Sequence, residues 1–219
     1  MLRLGDGPTG WDVRVVPNLY SALERQEVVV HGPEHVHSLA DLSGATLERI
    51  AEAWQRRARD TGGICFPFVN EGQDAGASLP HSHSQLAWLP APPPAAAAER
   101  GLQEIAEIES AGGVVCGCPL ASRVAYEMLI FPEVGETDAL TSTLLGRALT
   151  LVGDVVRRLH AARGERTPVN VWLHSGLEDT PWHLEIFPRT TRLAGLELGA
   201  GVFIDPVAPE VAAAQLRAG

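Results

Sequence analysis

A strand–helix–strand–strand pattern occurs twice in this chain of 219 residues, and each copy ends on a strand that carries a His-x-polar pair and stops at proline. The first copy reads VVVHGPEH, ATLERIAEAWQRRA, GICFPFVN and HSHSQLAWLP. The second reads EMLIFPEV, STLLGRALTLVGDVVRRLH, VNVWLHS and WHLEIFP. The simplest fold that satisfies both is a duplicated α+β unit, two antiparallel-sheet halves with helices packed against one face. Residues 1–112 form the first half and residues 113–219 the second.

Strand signals, rich in β-branched and aromatic residues and mostly ended by Gly or Pro, cover Trp11–Val16, Glu27–His31, Ile64–Val69, Gln85–Leu89, Val114–Cys116, Glu127–Phe131, Val169–His174 and His183–Phe187. Helical spacing joins Leu47, Ile50, Ala51, Trp54 and Ala58 behind an N-cap at Ser43. It also joins Leu144, Leu145, Ala148, Leu151, Val152, Val155 and Leu159, with Gly164 as the stop. A third helix is predicted over Ala95–Ser110 and a short fourth over Pro209–Arg217.

The net charge of −10 argues against nucleic acid held on a broad basic surface, so any anionic ligand falls to local arginines. All 17 basic residues are arginine, which excludes a lysine Schiff base, a lysyl-nucleotide intermediate and a Walker-type phosphate loop. Three cysteines, Cys65, Cys116 and Cys118, are too few for a disulfide scaffold and fit a reducing compartment. No apolar run is long enough to span a bilayer, and the start MLRLGDGPTGWDV lacks the basic and apolar regions of a signal peptide, so a cytoplasmic location is expected, with no membrane partner.

The chemistry concentrates at SLPHSHSQL. On a strand, residues i and i+2 share a face, so His81, His83 and Gln85 form a polar ladder with Ser82, Ser84, Leu86 and Trp88 behind them. The preceding loop, with Asn70, Gly72, Gly76 and Ser78, can offer backbone N–H groups and an amide to an anion. A phosphate cradle beside an imidazole suits phosphoryl or nucleotidyl transfer.

Asn70-Glu71-Gly72, Gly76-Ala77-Ser78 and HSHSQ together resemble the active-site signature of galactose-1-phosphate uridylyltransferases, a branch of the histidine-triad superfamily. Further matches extend over nearly the whole chain: Arg14-Val15-Val16-Pro17-Asn18-Leu19-Tyr20, Gly32-Pro33-Glu34-His35, Pro168-Val169-Asn170 with His174, and His183-Leu184-Glu185-Ile186-Phe187-Pro188. The resemblance implies two histidine-triad-like halves and a nucleotidylyltransferase that moves a nucleoside monophosphate between sugar 1-phosphates. By the same resemblance His83 is the nucleophile and forms a covalent nucleotidyl-histidine. Gln85 would hydrogen-bond the phosphoryl oxygens, Asn70 and Ser78 would line the nucleotide and diphosphate pocket, and His81 would support from behind. A backbone carbonyl of Leu79–Ser82 would fix the tautomer of His83. Two alternatives follow: a nucleoside-diphosphate-sugar or dinucleoside-polyphosphate phosphorylase or hydrolase with the same nucleophile, and an inactive nucleotide-binding protein.

The resemblance also implies metal. The family's structural zinc pairs a Cys-x-x-Cys with two histidines, which match His35 and His81, but this chain has no Cys-x-x-Cys. The chain resembles a member shortened at its N-terminus, where relatives carry that motif and the arginines that grip the sugar phosphate. A second site, zinc or iron, draws on positions matched by Glu99, His174 and His183, with Glu185 where the last histidine would stand. Arg123 and Arg189 are the expected phosphate-binding arginines, and Ser84, in place of the usual glycine, points toward adenylyl substrates. Relatives are commonly homodimers.

Overall fold

The structure, a computed structural model, describes residues 1–7, 9–60, 63–99, 101–177 and 179–219. Among the described residues ten strands form one antiparallel sheet. The first half supplies β1 (Leu2–Leu4), β2 (Val13–Pro17), β3 (Gln26–Val30), β4 (Ile64–Glu71) and β5 (His83–Leu89), with α1 (Gly44–Arg59) between β3 and β4. A single turn, α2 (Pro94–Ala97), leads to β6 (Ile105–Ala111), β7 (Val114–Pro119) and β8 (Met128–Pro132). Then follow α3 (Leu145–Arg163), β9 (Val169–His174), β10 (His183–Pro188), α4 (Gly195–Ala200) and α5 (Pro209–Ala218).

The sheet order is β1-β2-β3-β5-β4-β9-β10-β8-β7-β6. The two expected sheets are therefore continuous, joined where β4 pairs with β9 and Phe68 faces Trp172, Val69 faces Val171 and Asn70 faces Asn170. Around this seam the halves repeat: Gln85 of β5 opposes Phe68, and Glu185 of β10 opposes Trp172.

The helices cover one face. Ser43 accepts the Thr46 N–H at 3.1 Å and starts α1, whose Leu47, Ile50, Ala51 and Trp54 turn inward. Against them lie Leu145, Leu151, Val152, Val155 and Leu159 of α3, all buried. The two helices approach so closely that a Cβ on Gly153 would stand 2.7 Å from Leu47 Cδ1 and 3.1 Å from the Leu39 carbonyl oxygen, so a side chain here would force Leu47 to shift. Burying Leu47 or Ile50 in this layer contributes roughly 2–3 kcal/mol each. The opposite face stays open and carries Phe66, Phe68, Trp172 and Phe187.

The helix expected over Ala95–Ser110 does not form. Among the described residues of that stretch only α2 is helical, Gly101 turns at φ +93°, and β6 follows as a strand. Gly112 and Gly113 both take positive φ, 64° and 84°, which is the two-residue hairpin requirement, and so IAEIESA pairs with VVCGCP. Residue 112, the expected boundary of the halves, falls in that hairpin. Since β6 pairs with β7 and Arg217 of α5 donates to the Glu107 carbonyl, the strand joins the second half. Among the described residues no helix is long and apolar enough to cross a membrane.

Candidate active site

His83 opens β5 on the open face of the sheet. Its Nδ1 lies 2.8 Å from the carbonyl of His81. A carbonyl only accepts, so Nδ1 carries the proton and the lone pair of the neutral ring sits on Nε2. His81 in turn has Nε2 3.0 Å from the Gly32 carbonyl and Nδ1 3.3 Å from His35 Nδ1. Partial burial, together with the nearby His35, His83 and His37 imidazoles, holds the His81 ring below its usual pKa despite its bond to Gly32. His81 precedes the strand and acts on His83 through its carbonyl.

Beside His83 on the same face, Gln85 accepts from Gln26 Nε2 at 2.5 Å, which leaves the Gln85 amide hydrogens for another acceptor. Asn70 stands next to them on β4. The loop that follows β4 bends at Gly72, φ +86°, where a Cβ would meet Pro168 Cβ at 2.8 Å, and again at Gly76, φ +83°. Its amides are less available than the sequence suggests: Ala75 and Ala77 N–H both donate to the Gly72 carbonyl and Gly76 N–H to Gln73. Ser78 is exposed and lines a cavity of about 440 Å³ with Glu71, Gly72, Pro80 and Arg166.

Ser84 is a correction. Its hydroxyl faces the helices, accepting from Trp54 Nε1 at 2.9 Å and lying 3.0 Å from His31 Nε2, so it does not line the open face where a nucleotide would lie. His31 also reaches Ser82 Oγ at 2.9 Å. Burial first, and then the His83 and His81 rings, hold His31 well below the usual histidine pKa, so this interior ring is neutral. A lone polar residue in the run VVVHG is the sequence signal for this network.

In the second half, Glu99, His174, His183 and Glu185 converge, with one ligand atom from each lying within 4.8 Å of the others. His174 Nδ1 is 2.6 Å from Glu99 and 3.2 Å from Glu185; His183 Nε2 is 3.4 Å and 3.7 Å from the same carboxylates. Donor atoms around a tetrahedral zinc at ~2.0 Å stand ~3.3 Å apart, so these spacings and this N2O2 set suit a divalent ion. His183 Nδ1 lies 3.1 Å from the Pro181 carbonyl, the outer bond that orients a metal-binding imidazole. Burial alone would lower His183, but its hydrogen bonds to Glu185 and Glu99 push it up to about 9. Burial would raise Glu99, and bonds from His174 and His183 bring it down to about 2. His35 is not a member of this group; it lies with His81 and His37 on the first half.

The two expected arginines are both engaged. Arg123 pairs with Glu127 and Glu185 and lies 5.6 Å from the Trp172 ring and 5.2 Å from that of Phe187, so its charge is balanced beside the metal-type cluster. Tyr126, at φ 64°, turns the backbone so that the Arg123 N–H also meets Glu127. Arg189 donates from Nε to Asn170 Oδ1 at 2.6 Å. Asn170 has no expected role from sequence, yet it stands in the register opposite Asn70 at the seam.

The sequence profile of the family described as galactose-1-phosphate uridyl transferase, N-terminal domain, matches residues 22–90, which contain His83. The ADP-glucose phosphorylase of Arabidopsis thaliana is 27% identical over 99% of this chain and 77% of that protein. The galactose-1-phosphate uridylyltransferase of Thermotoga maritima is 25% identical over 87% and 73%. The solved structure of the Arabidopsis thaliana ADP-glucose phosphorylase with bound ADP-glucose superimposes with a TM-score of 0.87 at 25% identity, covering 99% of this chain and 85% of that one. Profile, relatives and fold point the same way: residues 22–90 match the N-terminal domain of galactose-1-phosphate uridyl transferases, and nearly the whole chain resembles a phosphorylase and a uridylyltransferase of that kind.

Proposed function

We propose that this protein transfers a nucleoside monophosphate from a nucleotide sugar through a covalent nucleotidyl-His83 intermediate. The observation that carries the reading is the 2.8 Å contact of His83 Nδ1 with the His81 carbonyl, which leaves the lone pair of the neutral ring on Nε2. That lone pair attacks the α-phosphorus and forms the N–P bond. The bond from phosphorus to the bridging oxygen breaks, and its electron pair leaves with the sugar 1-phosphate. The Gln85 and Asn70 amides donate to the phosphoryl oxygens as charge builds there, and Ser78 borders the diphosphate. Gly72 and Gly76 shape the loop beside it.

A sugar 1-phosphate or inorganic phosphate then takes the nucleotidyl group. Phosphate as acceptor is the second reading; the alignment to a phosphorylase over 99% of the chain favours it. Zinc or iron(II) held by Glu99, His174, His183 and Glu185 would supply a fixed divalent charge that ties β9 and β10 to the segment after β5. A homodimer that covers the exposed Leu196, Leu198, Val202 and Ile204 belongs to the same reading.

Incubation with ADP-glucose or UDP-glucose, followed by intact-protein mass measurement, tests it. A nucleotidyl adduct in the wild type that is missing in His83→Asn supports the covalent route, and release of that adduct by phosphate or by glucose 1-phosphate names the acceptor. Binding without adduct or turnover would make the protein a nucleotide binder.

A further inference from the structure

Three side chains form a chain of hydrogen bonds across the seam and end beside His83. Arg189 Nε lies 2.6 Å from one end of the Asn170 amide. A guanidinium only donates, so that end is the oxygen. The other end lies 2.9 Å from the Ala75 carbonyl, which only accepts, so it is the nitrogen. Two independent partners thus fix the orientation of the Asn170 amide by chemistry. The second Asn170 hydrogen meets Asn70 Oδ1 at 2.8 Å.

Asn70 therefore turns its oxygen toward β9 and its NH2 group away from it, toward β5. The β4–β5 register pairs Phe68 with Gln85, and two residues further along each strand Asn70 and His83 are neighbours on the same open face. The Asn70 hydrogens lie on the side where a phosphoryl group bonded to His83 Nε2 would sit. An unbraced amide can turn over and present its oxygen to that anion instead. The braces are firm: Asn170 is buried and also ties the 73–75 turn to the sheet, while Arg189 is held by its own N–H to Pro168 O at 2.8 Å and stands 5.3 Å over the Phe187 ring.

We propose that Asn170 and Arg189 are positioning residues that hold the Asn70 amide as a hydrogen-bond donor to the phosphoryl group transferred at His83. The proposal rests on the covalent His83 reading and gives Arg189 a different task from gripping the sugar phosphate. A direct phosphate contact by Arg189 would act independently of Asn70; a positioning role works only through it.

Two measurements test this. In 15N-labelled protein, the Asn70 side-chain amide signals, identified by their loss in Asn70→Asp, are followed during titration with AMP and separately with UMP. They are expected to shift with one of these nucleotides in the wild type, and Asn170→Asp and Arg189→Met are expected to abolish the shift or move its midpoint at least ~10-fold. No shift in the wild type, or an unchanged shift in both variants, would overturn the proposal.

The second is a double-mutant cycle on the rate of nucleotidyl-His83 formation. Asn170→Asp alone should lower the rate ~10- to 100-fold, less than the ~10²- to 10³-fold that removing an aimed donor costs, because the Asn70 amide stays but is no longer held. In an Asn70→Ala background, Asn170→Asp and Arg189→Met should each cost less than ~3-fold more. Full additivity would return Arg189 to direct substrate contact. Arg189 is only half-buried, so Arg189→Met keeps both measurements open if Asn170→Asp does not fold. Turnover that survives His83→Asn would remove the covalent reading, and the amide titration would then decide the proposal alone.

Discussion

His83 and His183 occupy equivalent places in the two halves. Each opens the strand that flanks the seam, each sets Nδ1 against the carbonyl two residues earlier, at 2.8 Å and 3.1 Å, and each precedes a polar residue on the same face. Their neighbours differ. His83 sits beside the neutral amides of Gln85 and Asn70, whereas His183 faces the carboxylates of Glu99 and Glu185. A neutral imidazole among amide donors has a free lone pair and a welcome for phosphoryl oxygens. The same imidazole between two anions is committed to a proton or a metal, and the anions repel phosphate. On the proposed reading one duplicated scaffold yields a nucleophile on one side and a metal-type cluster on the other, through the carboxylates Glu185 at position i+2 and Glu99 that stand where the first half presents amides.

The largest test of this division is the pair of histidine variants. His83→Asn should lower nucleotidyl transfer by ~10⁴-fold or more, as loss of a nucleophile does, while His183→Asn should keep adduct formation within ~10-fold of wild type and lose bound metal. Abolition of the adduct by His183→Asn would break the comparison.

Exchanging the i+2 residues comes next. Gln85→Glu places a carboxylate against the phosphoryl oxygens and should slow adduct formation ~10²- to 10³-fold with the fold intact. Glu185→Gln removes one anionic ligand and should weaken divalent metal binding at least ~100-fold, read as metal content after dialysis. If Gln85→Glu transferred at the wild-type rate, charge at that position would not separate the halves.

Much of this was legible in the sequence, for reasons that also explain the failures. Strand alternation placed His83 and Gln85 on one face and Ser84, Leu86 and Trp88 on the other, and the burial of Ser84, Leu86 and Trp88 follows it. The adenylyl expectation for Ser84 rests on the family resemblance and not on that alternation, which already sets Ser84 behind the ladder. The stretch 95–110 misled because Leu102, Ile105 and Ile108 also fit helical spacing, and only Gly112-Gly113 signals the hairpin. The Asn170 bridge could not be read at all. It depends on the β4–β9 register, which pairs residues 100 positions apart and is set by the packing of both halves.

The metal-type cluster carries a pH dependence of its own. With His183 pushed up to about 9, the metal-free protein holds a proton there that an ion must displace. Metal affinity should therefore rise with pH, roughly tenfold per unit, and level off above about 9. Titration of the chelator-treated protein with zinc at several pH values checks this. A flat profile from neutral pH to 9 would mean that His183 gives up no proton on binding.

The smallest effect separates the two strands on their buried side. Ser84 and Leu184 are equivalent and both are wholly buried, but Leu184 packs in an apolar layer, while Ser84 joins His31 and the Trp54 N–H behind His83. Ser84→Ala leaves the Trp54 donor without its acceptor at 2.9 Å and should cost about 1–3 kcal/mol in urea unfolding. Because the hydroxyl points to the helices, the ratio of rates with ADP-glucose and UDP-glucose should stay within ~3-fold, less than the ~1 kcal/mol that loss of a specific contact costs. A larger change in that ratio would show that the serine acts through β5 on the base after all. The nucleophile's strand would then be tuned from its buried face, a coupling that Leu184 cannot provide in the other half.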